Sequence, residues 1–96
     1  MSELLSNSDI DDALTGLPEW SLTGSSITRT VELPTFPVAI AFVARVAEAA
    51  EAANHHPDID IRWRKLTFTL STHSDGGLTK KDVSLAHEID ALLPED

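Results

Sequence analysis

Three of the four histidines in the chain lie in two short segments that could carry out proton transfer. His55 and His56 are adjacent, and His73 follows further along the chain. Histidine has an ordinary pKa of about 6.5, so it can give and take protons near neutral pH. Glu51 precedes His55 by about one helical turn. If these side chains converge, they form an acid–base site.

Other roles for the same residues stay open on spacing alone. Three imidazoles and a carboxylate are also a ligand set that suits zinc. However, no two histidines are spaced i, i+4 on one helix, and adjacent histidines rarely both reach one ion. Capping and simple surface roles are the third alternative. The histidine pattern therefore indicates a site without fixing its chemistry.

The first segment, with His55 and His56, is predicted to follow directly on the main helix. Thr35 is a suitable N-cap, and the spacing of apolar residues predicts a helix over residues 36–53. Asn54 is a suitable C-cap, and Pro57 prevents the helix from continuing. The predicted apolar stripe is Phe36, Ile40, Val43, Ala47 and Ala50, widened by Phe42, Val46 and Ala49.

The second segment, with His73, is predicted to lie at the end of the last strand. Alternation of apolar and polar residues predicts two hairpins, residues 20–22 with 27–33 and 59–63 with 65–72. A short helix after Ser8 precedes them, and a last helix begins at Thr79, with Asp82 completing a capping box. The fold class is thus α+β, in two layers. A four-stranded antiparallel sheet has three helices on one face, in the order α-β-β-α-β-β-α.

Length and composition restrict the other properties of the chain. Its 96 residues are enough for one domain, predicted over residues 8–96 after a flexible tail at 1–7. The net charge of -9 argues against nucleic acid and against an anionic membrane as partners. There is no cysteine, which excludes disulfides and thiolate chemistry. Without a signal peptide, and with no apolar run longer than residues 38–44, a cytoplasmic location is expected.

Several motifs occur together at fixed separations. They are Glu51-Ala-Ala-Asn54-His55-His56-Pro57-Asp58, Ile61-Arg62-Trp63, Ser71-Thr72-His73 and Asp75-Gly76-Gly77-Leu78-Thr79 up to Asp82, preceded by residues 26–30 and the Phe36…Phe42 helix. In this combination the chain resembles the pterin-4a-carbinolamine dehydratase family over roughly residues 14 to 92. The fold of that family is similar to the one predicted above.

The resemblance implies an activity and a site. The activity is dehydration of a 4a-hydroxytetrahydropterin to the quinonoid dihydropterin during recycling of a pterin cofactor. The implied catalytic residues are His55, His56 and His73. The implied substrate-binding residues are Glu51, Asp82 and Trp20. The pterin is the small-molecule partner, and neither a metal nor an organic cofactor is required.

Plainer roles exist for some of these residues. Asp82 could serve only as a helix cap, Glu51 could face solvent, and Trp20 could belong to the core. His87 matches no position of the motif and is interpreted as a surface residue.

The resemblance also implies a second kind of function and an assembly state. Proteins of this fold act as a dimerisation partner of a transcription factor in animals, and related domains assist RuBisCO assembly. A protein-binding module is therefore the alternative to the enzyme. The family commonly forms dimers or tetramers, so a homodimer or homotetramer is expected.

Overall fold

The secondary structure follows the predicted order. A computed structural model of the chain describes residues 3–94. The helices are α1 (Asn7–Thr15), α2 (Phe36–Ala53) and α3 (Lys80–Leu92), and the strands are β1 (Ser21–Thr23), β2 (Ser26–Glu32), β3 (Asp58–Arg62) and β4 (Lys65–Leu70). The strands form one antiparallel sheet in the order β1-β2-β4-β3. The predicted α+β fold is confirmed.

The apolar face of the sheet forms one side of the core. Leu66, Phe68 and Leu70 alternate with Thr67 and Thr69 along β4, and the three apolar side chains are buried. In the antiparallel register, Ile27 pairs with Leu70 and Val31 with Leu66. Side chains along a strand alternate between the two faces of a sheet, so the threonines occupy the face opposite the core.

Arg29 occupies a position of β2 where the alternation calls for an apolar residue. Its guanidinium donates a hydrogen bond of 2.6 Å to the Asp90 carboxylate on α3. The indole N–H of Trp20 donates to the same oxygen at 2.9 Å. A partly buried cation requires such a partner, and α3 supplies it. Trp20, only 4% exposed, is therefore part of the core.

The predicted boundaries of α2 are confirmed, but its predicted apolar stripe is partly wrong. Phe42, Val46 and Ala50 are buried with Ala39, whereas Phe36 and Ile40 are 45% and 39% exposed. Apolar residues cover more than one side of this helix. Helical periodicity therefore could not decide which side packs against the sheet.

The N-terminal segment is shorter than the predicted tail. Helix α1 begins at Asn7, and its N-cap is Ser6 rather than Ser8, because the Ser6 hydroxyl accepts from the Asp9 N–H at 3.1 Å. Leu5 donates its backbone N–H to the Leu78 carbonyl at 2.8 Å and packs against the core. The first two residues of the predicted tail lie outside the described residues.

Two local features shape the region that carries the histidines. Asn54 caps α2 in the left-handed conformation, with φ of 51°, which turns the chain sharply before His55. Strand β4 ends at Leu70, so His73 lies on a short 3₁₀ helix (His73–Asp75) rather than on the strand. No helix within residues 3–94 is long and apolar enough to cross a membrane.

Candidate active site

The three predicted histidines line one surface cleft. Its volume is about 360 Å³, and its lining residues are Asn54, His55, His56, Ser71, Thr72, His73, Ser74 and Lys81. The volume lies in the range of about 300–1,000 Å³ that is typical of small-molecule sites. The C-terminal end of α2 and the segment after β4 thus meet at one edge of the fold, as expected.

His55 is the buried member of the three and is bonded to Asp82. Its Nε2 lies 2.5 Å from Oδ1 of Asp82. His55 is 9% exposed and Asp82 is 0% exposed. The capping box at the start of α3 directs this carboxylate back toward the cleft, because its Oδ2 accepts from the Thr79 N–H at 2.9 Å. The same oxygen accepts from the Thr72 hydroxyl at 2.8 Å.

The other two histidines are exposed, and each also has a carboxylate neighbour. Nε2 of His56 is hydrogen-bonded to the carboxylate of Glu51, one turn back on α2. His73 lies 3.9 Å from a carboxylate oxygen of Asp58, at the start of β3. Asp58 ends the motif that begins at Glu51, but the sequence patterns predict no site role for it. Asp58 pairs with Thr69 near the end of β4, and this strand position is the feature that indicates its closeness to His73.

This arrangement can both donate and accept protons within one cleft. One imidazole is held in place by a buried carboxylate, and two others are free to meet a ligand from the solvent side. Each imidazole lies beside its own carboxylate. Consistent with that, residues 3–94 contain no group of three His, Asp or Glu side chains placed to hold a metal ion. General acid–base chemistry fits the geometry best.

The remaining predicted residues lie in different places. Glu51 is exposed beside His56. Asp82 lies beneath His55, without contact with solvent. Trp20 does not line the cleft, because its side chain is in the core against Asp90. His87 is exposed on α3, as expected for a surface residue.

A larger cleft of about 620 Å³ is present near the N-terminus. It is lined by Glu3, Leu4, Leu5, Asp9 and Lys80. No histidine contributes to it. We therefore take the smaller histidine cleft as the candidate active site.

Comparison with known proteins gives this site a family. Residues 3–92 match the family model described as pterin 4 alpha carbinolamine dehydratase. The chain belongs to this family. The resemblance inferred from the motifs around the histidines is thereby confirmed.

Relatives in the pterin 4 alpha carbinolamine dehydratase family match over nearly their whole length. A protein of Nocardia farcinica is 63% identical over 91 residues, which is 95% of this chain and 96% of that protein. A protein of Roseiflexus castenholzii is 55% identical over 93 residues, 97% of this chain and 100% of its own. Both are provisionally named pterin-4-alpha-carbinolamine dehydratase.

Solved structures show the same fold. A transcriptional coactivator/pterin dehydratase from Brucella melitensis superposes with a TM-score of 0.92 at 31% identity, over 96% of this chain and 100% of that one. A pterin dehydratase-like protein described as a RuBisCO assembly factor in the alpha-carboxysome gives 0.65 at 18% identity, over 80% of this chain and 89% of that one. The second likeness is evidence for the fold alone.

Proposed function

We propose that the chain catalyses the dehydration of a 4a-hydroxytetrahydropterin. The observation that carries this proposal is the cleft in which His55, His56 and His73 meet, each beside a carboxylate. Family membership supplies the substrate class, a pterin carbinolamine. The reaction removes a hydroxyl and a proton, so it needs a proton donor and a proton acceptor in one place.

The proposed reaction has two proton transfers. One imidazolium gives a proton to the hydroxyl on C4a, and the C–O bond breaks with loss of water. The lone pair of the neighbouring ring nitrogen forms a double bond to C4a. A neutral imidazole then takes the N–H proton from that nitrogen, which leaves the quinonoid dihydropterin. We assign these two roles to His55 and His73, and we assign to His56 the binding of the pterin by hydrogen bonds.

The carboxylates have supporting roles in this proposal. Glu51 orients His56, and its exposed carboxylate is also available to the substrate. Asp82 acts through His55, because it has no exposed surface from which to touch a ligand. For Trp20 we adopt the core role, since its indole N–H is already bonded to Asp90.

The proposal is tested by following the ultraviolet absorbance of 4a-hydroxytetrahydropterin generated enzymatically. We expect the protein to accelerate dehydration, and we expect the rate to be unchanged after dialysis against a chelator, because proton transfer by imidazoles needs no metal. Loss of activity on chelation, restored by zinc, would contradict the acid–base mechanism.

A protein-binding role is the second candidate. It is favoured by the Brucella melitensis relative, whose description includes both a transcriptional coactivator and a pterin dehydratase. Such a role needs a surface but no histidine cleft. A folded protein that fails to accelerate dehydration would favour this candidate over the enzyme.

We also propose that the chain forms a homodimer or homotetramer through the exposed side of α2. Phe36, Ile40 and Ala47 lie on that side at helical spacing and face solvent. A second copy could bury this apolar stripe, and a domain of this size has a thin stability margin to which such burial would add.

Light scattering coupled to size-exclusion chromatography tests the assembly. The unchanged chain should elute as a dimer or tetramer, and Ile40→Glu should reduce its mass. Ala41→Glu is the matched control, because Ala41 is exposed on another side of the same helix. A monomeric unchanged chain, or equal effects of the two substitutions, would contradict the proposal.

A further inference from the structure

Both oxygens of the Asp82 carboxylate are hydrogen-bonded to other groups of the protein. Its Oδ1 lies 2.5 Å from His55 Nε2, and its Oδ2 accepts from the Thr72 hydroxyl and the Thr79 N–H. With 0% exposure it cannot contact a substrate. Its influence on a reaction in the cleft must therefore pass through His55.

The hydroxyls of Thr72 and Thr79 form a chain of hydrogen bonds with one direction. The Thr72 hydroxyl donates its single proton to Asp82. The two threonine oxygens are 2.8 Å apart, so Thr79 must be the donor of the bond between them. The Thr79 oxygen in turn accepts from the Lys81 N–H at 3.2 Å. We call the two hydroxyls, Thr79 followed by Thr72, the hydroxyl relay. Each hydroxyl donates its proton in the direction of the Asp82 carboxylate.

This direction decides where neutral His55 carries its proton. A carboxylate that receives donors from Thr72 and from a helix N-terminus is favoured as a pure acceptor. Nε2 of His55 must then be the protonated nitrogen, which leaves the lone pair on Nδ1. Nδ1 of His55 makes no hydrogen bond to the described residues. The one buried side-chain polar atom without a partner among those residues is Arg29 Nε, so His55 Nδ1 is not buried. We infer that it is open to the cleft that His55 lines.

We propose that the Thr72–Thr79 hydroxyl relay is a positioning device that holds Asp82 as an acceptor and fixes His55 with its proton on Nε2 and its lone pair on Nδ1. The inference rests on the proposed function, in which His55 transfers a proton. In this tautomer neutral His55 begins as the proton acceptor, and His73 is left as the donor. Thr72 and Thr79 are positioning residues, because their hydroxyls act on the reaction through Asp82 and His55.

The backbone around Thr72 keeps its hydroxyl in place. Thr72 is 3% exposed and lies between β4 and His73. Its N–H donates to the Gly77 carbonyl at 2.9 Å, and its carbonyl accepts from the Gly76 N–H at 2.9 Å. The hydroxyl therefore has little freedom to turn away from Asp82. Thr72 thus links the segment that carries His73 to the carboxylate that holds His55.

The experiment compares Thr72→Val and Thr72→Ser with the unchanged protein. Valine removes the hydroxyl at nearly constant shape, and serine retains it. Nitrogen-15 NMR of labelled imidazoles reports which nitrogen of His55 carries the proton, independently of activity. Steady-state kinetics with 4a-hydroxytetrahydropterin separates kcat from KM.

We expect His55 to be protonated on Nε2 in the unchanged protein and in Thr72→Ser, and to populate both tautomers in Thr72→Val. For Thr72→Val we expect kcat to fall about 10- to 100-fold, because a hydrogen bond to a charged group is lost. KM should stay within about twofold, because the Thr72 hydroxyl is already bonded to Asp82 and Thr79. Serine should restore most of kcat.

Two results would overturn the inference. One is an Nδ1-protonated His55 in the unchanged protein. The other is a serine variant as impaired as the valine variant, which would mean that the hydroxyl is not what matters. If Nε2 is protonated as expected but the unchanged protein does not dehydrate the pterin, the positioning device stands and the proposed function fails.

Discussion

His55→Ala and His73→Ala are each expected to lower kcat for dehydration of 4a-hydroxytetrahydropterin by about 10²- to 10⁴-fold. This is the usual contribution of a positioned general acid or base. Either substitution removes one of the two proton-transfer groups from the cleft. The measurement is the ultraviolet assay at saturating substrate, with circular dichroism to verify that each variant is folded.

His87→Ala is the matched control for the two histidine variants. His87 is an exposed histidine on α3 that does not line the cleft. Its replacement should leave kcat within about twofold of the unchanged protein, as expected for a residue that contributes nothing to transition-state binding. Equal losses in all three variants would argue against the assigned acid–base pair.

Phe42→Ala is expected to lower the free energy of unfolding by about 3–5 kcal/mol, the usual range for a buried phenylalanine. Phe42 is fully buried on α2 and packs edge-to-face on Phe68 of β4, with ring centroids 5.7 Å apart. Its loss would leave a cavity between helix and sheet. Urea unfolding followed by circular dichroism measures the change.

Phe36→Ala on the same helix is the control for Phe42→Ala. Phe36 is 45% exposed, so its removal should lower the free energy of unfolding by less than about 1 kcal/mol. Both substitutions are best measured in the Ile40→Glu background, where self-association through α2 should not contribute. Similar losses at the two positions would mean that the assignment of the buried side of α2 is wrong.

Most of the fold could be predicted because its signals are local. Thr35 and Asn54 bound α2 as predicted, since a cap depends on the few residues around it. The alternation of β4 likewise placed Leu66, Phe68 and Leu70 in the core. The buried side of α2 was not predictable in this way, because apolar residues lie on two of its sides and only the sheet distinguishes between them.

The site could be predicted in part. The convergence of His55, His56 and His73 follows from the order of elements, since a helix end and a strand end meet at one edge. The contact of His73 with Asp58 depends on strand register. The bond from Thr72 to Asp82 depends on how α3 is set against β4. Neither contact can be predicted from local sequence patterns.

The capping box of α3 has a consequence for inactivation by heat. One carboxylate, Asp82, both begins the helix and holds His55. Terminal turns of helices open more readily than the core of a domain. Fraying of this first turn would release the imidazole while the sheet is still intact. Chemistry at the cleft would then fail before the domain unfolds, and thermal tolerance of the proposed activity would depend on this helical turn as well as on the whole fold.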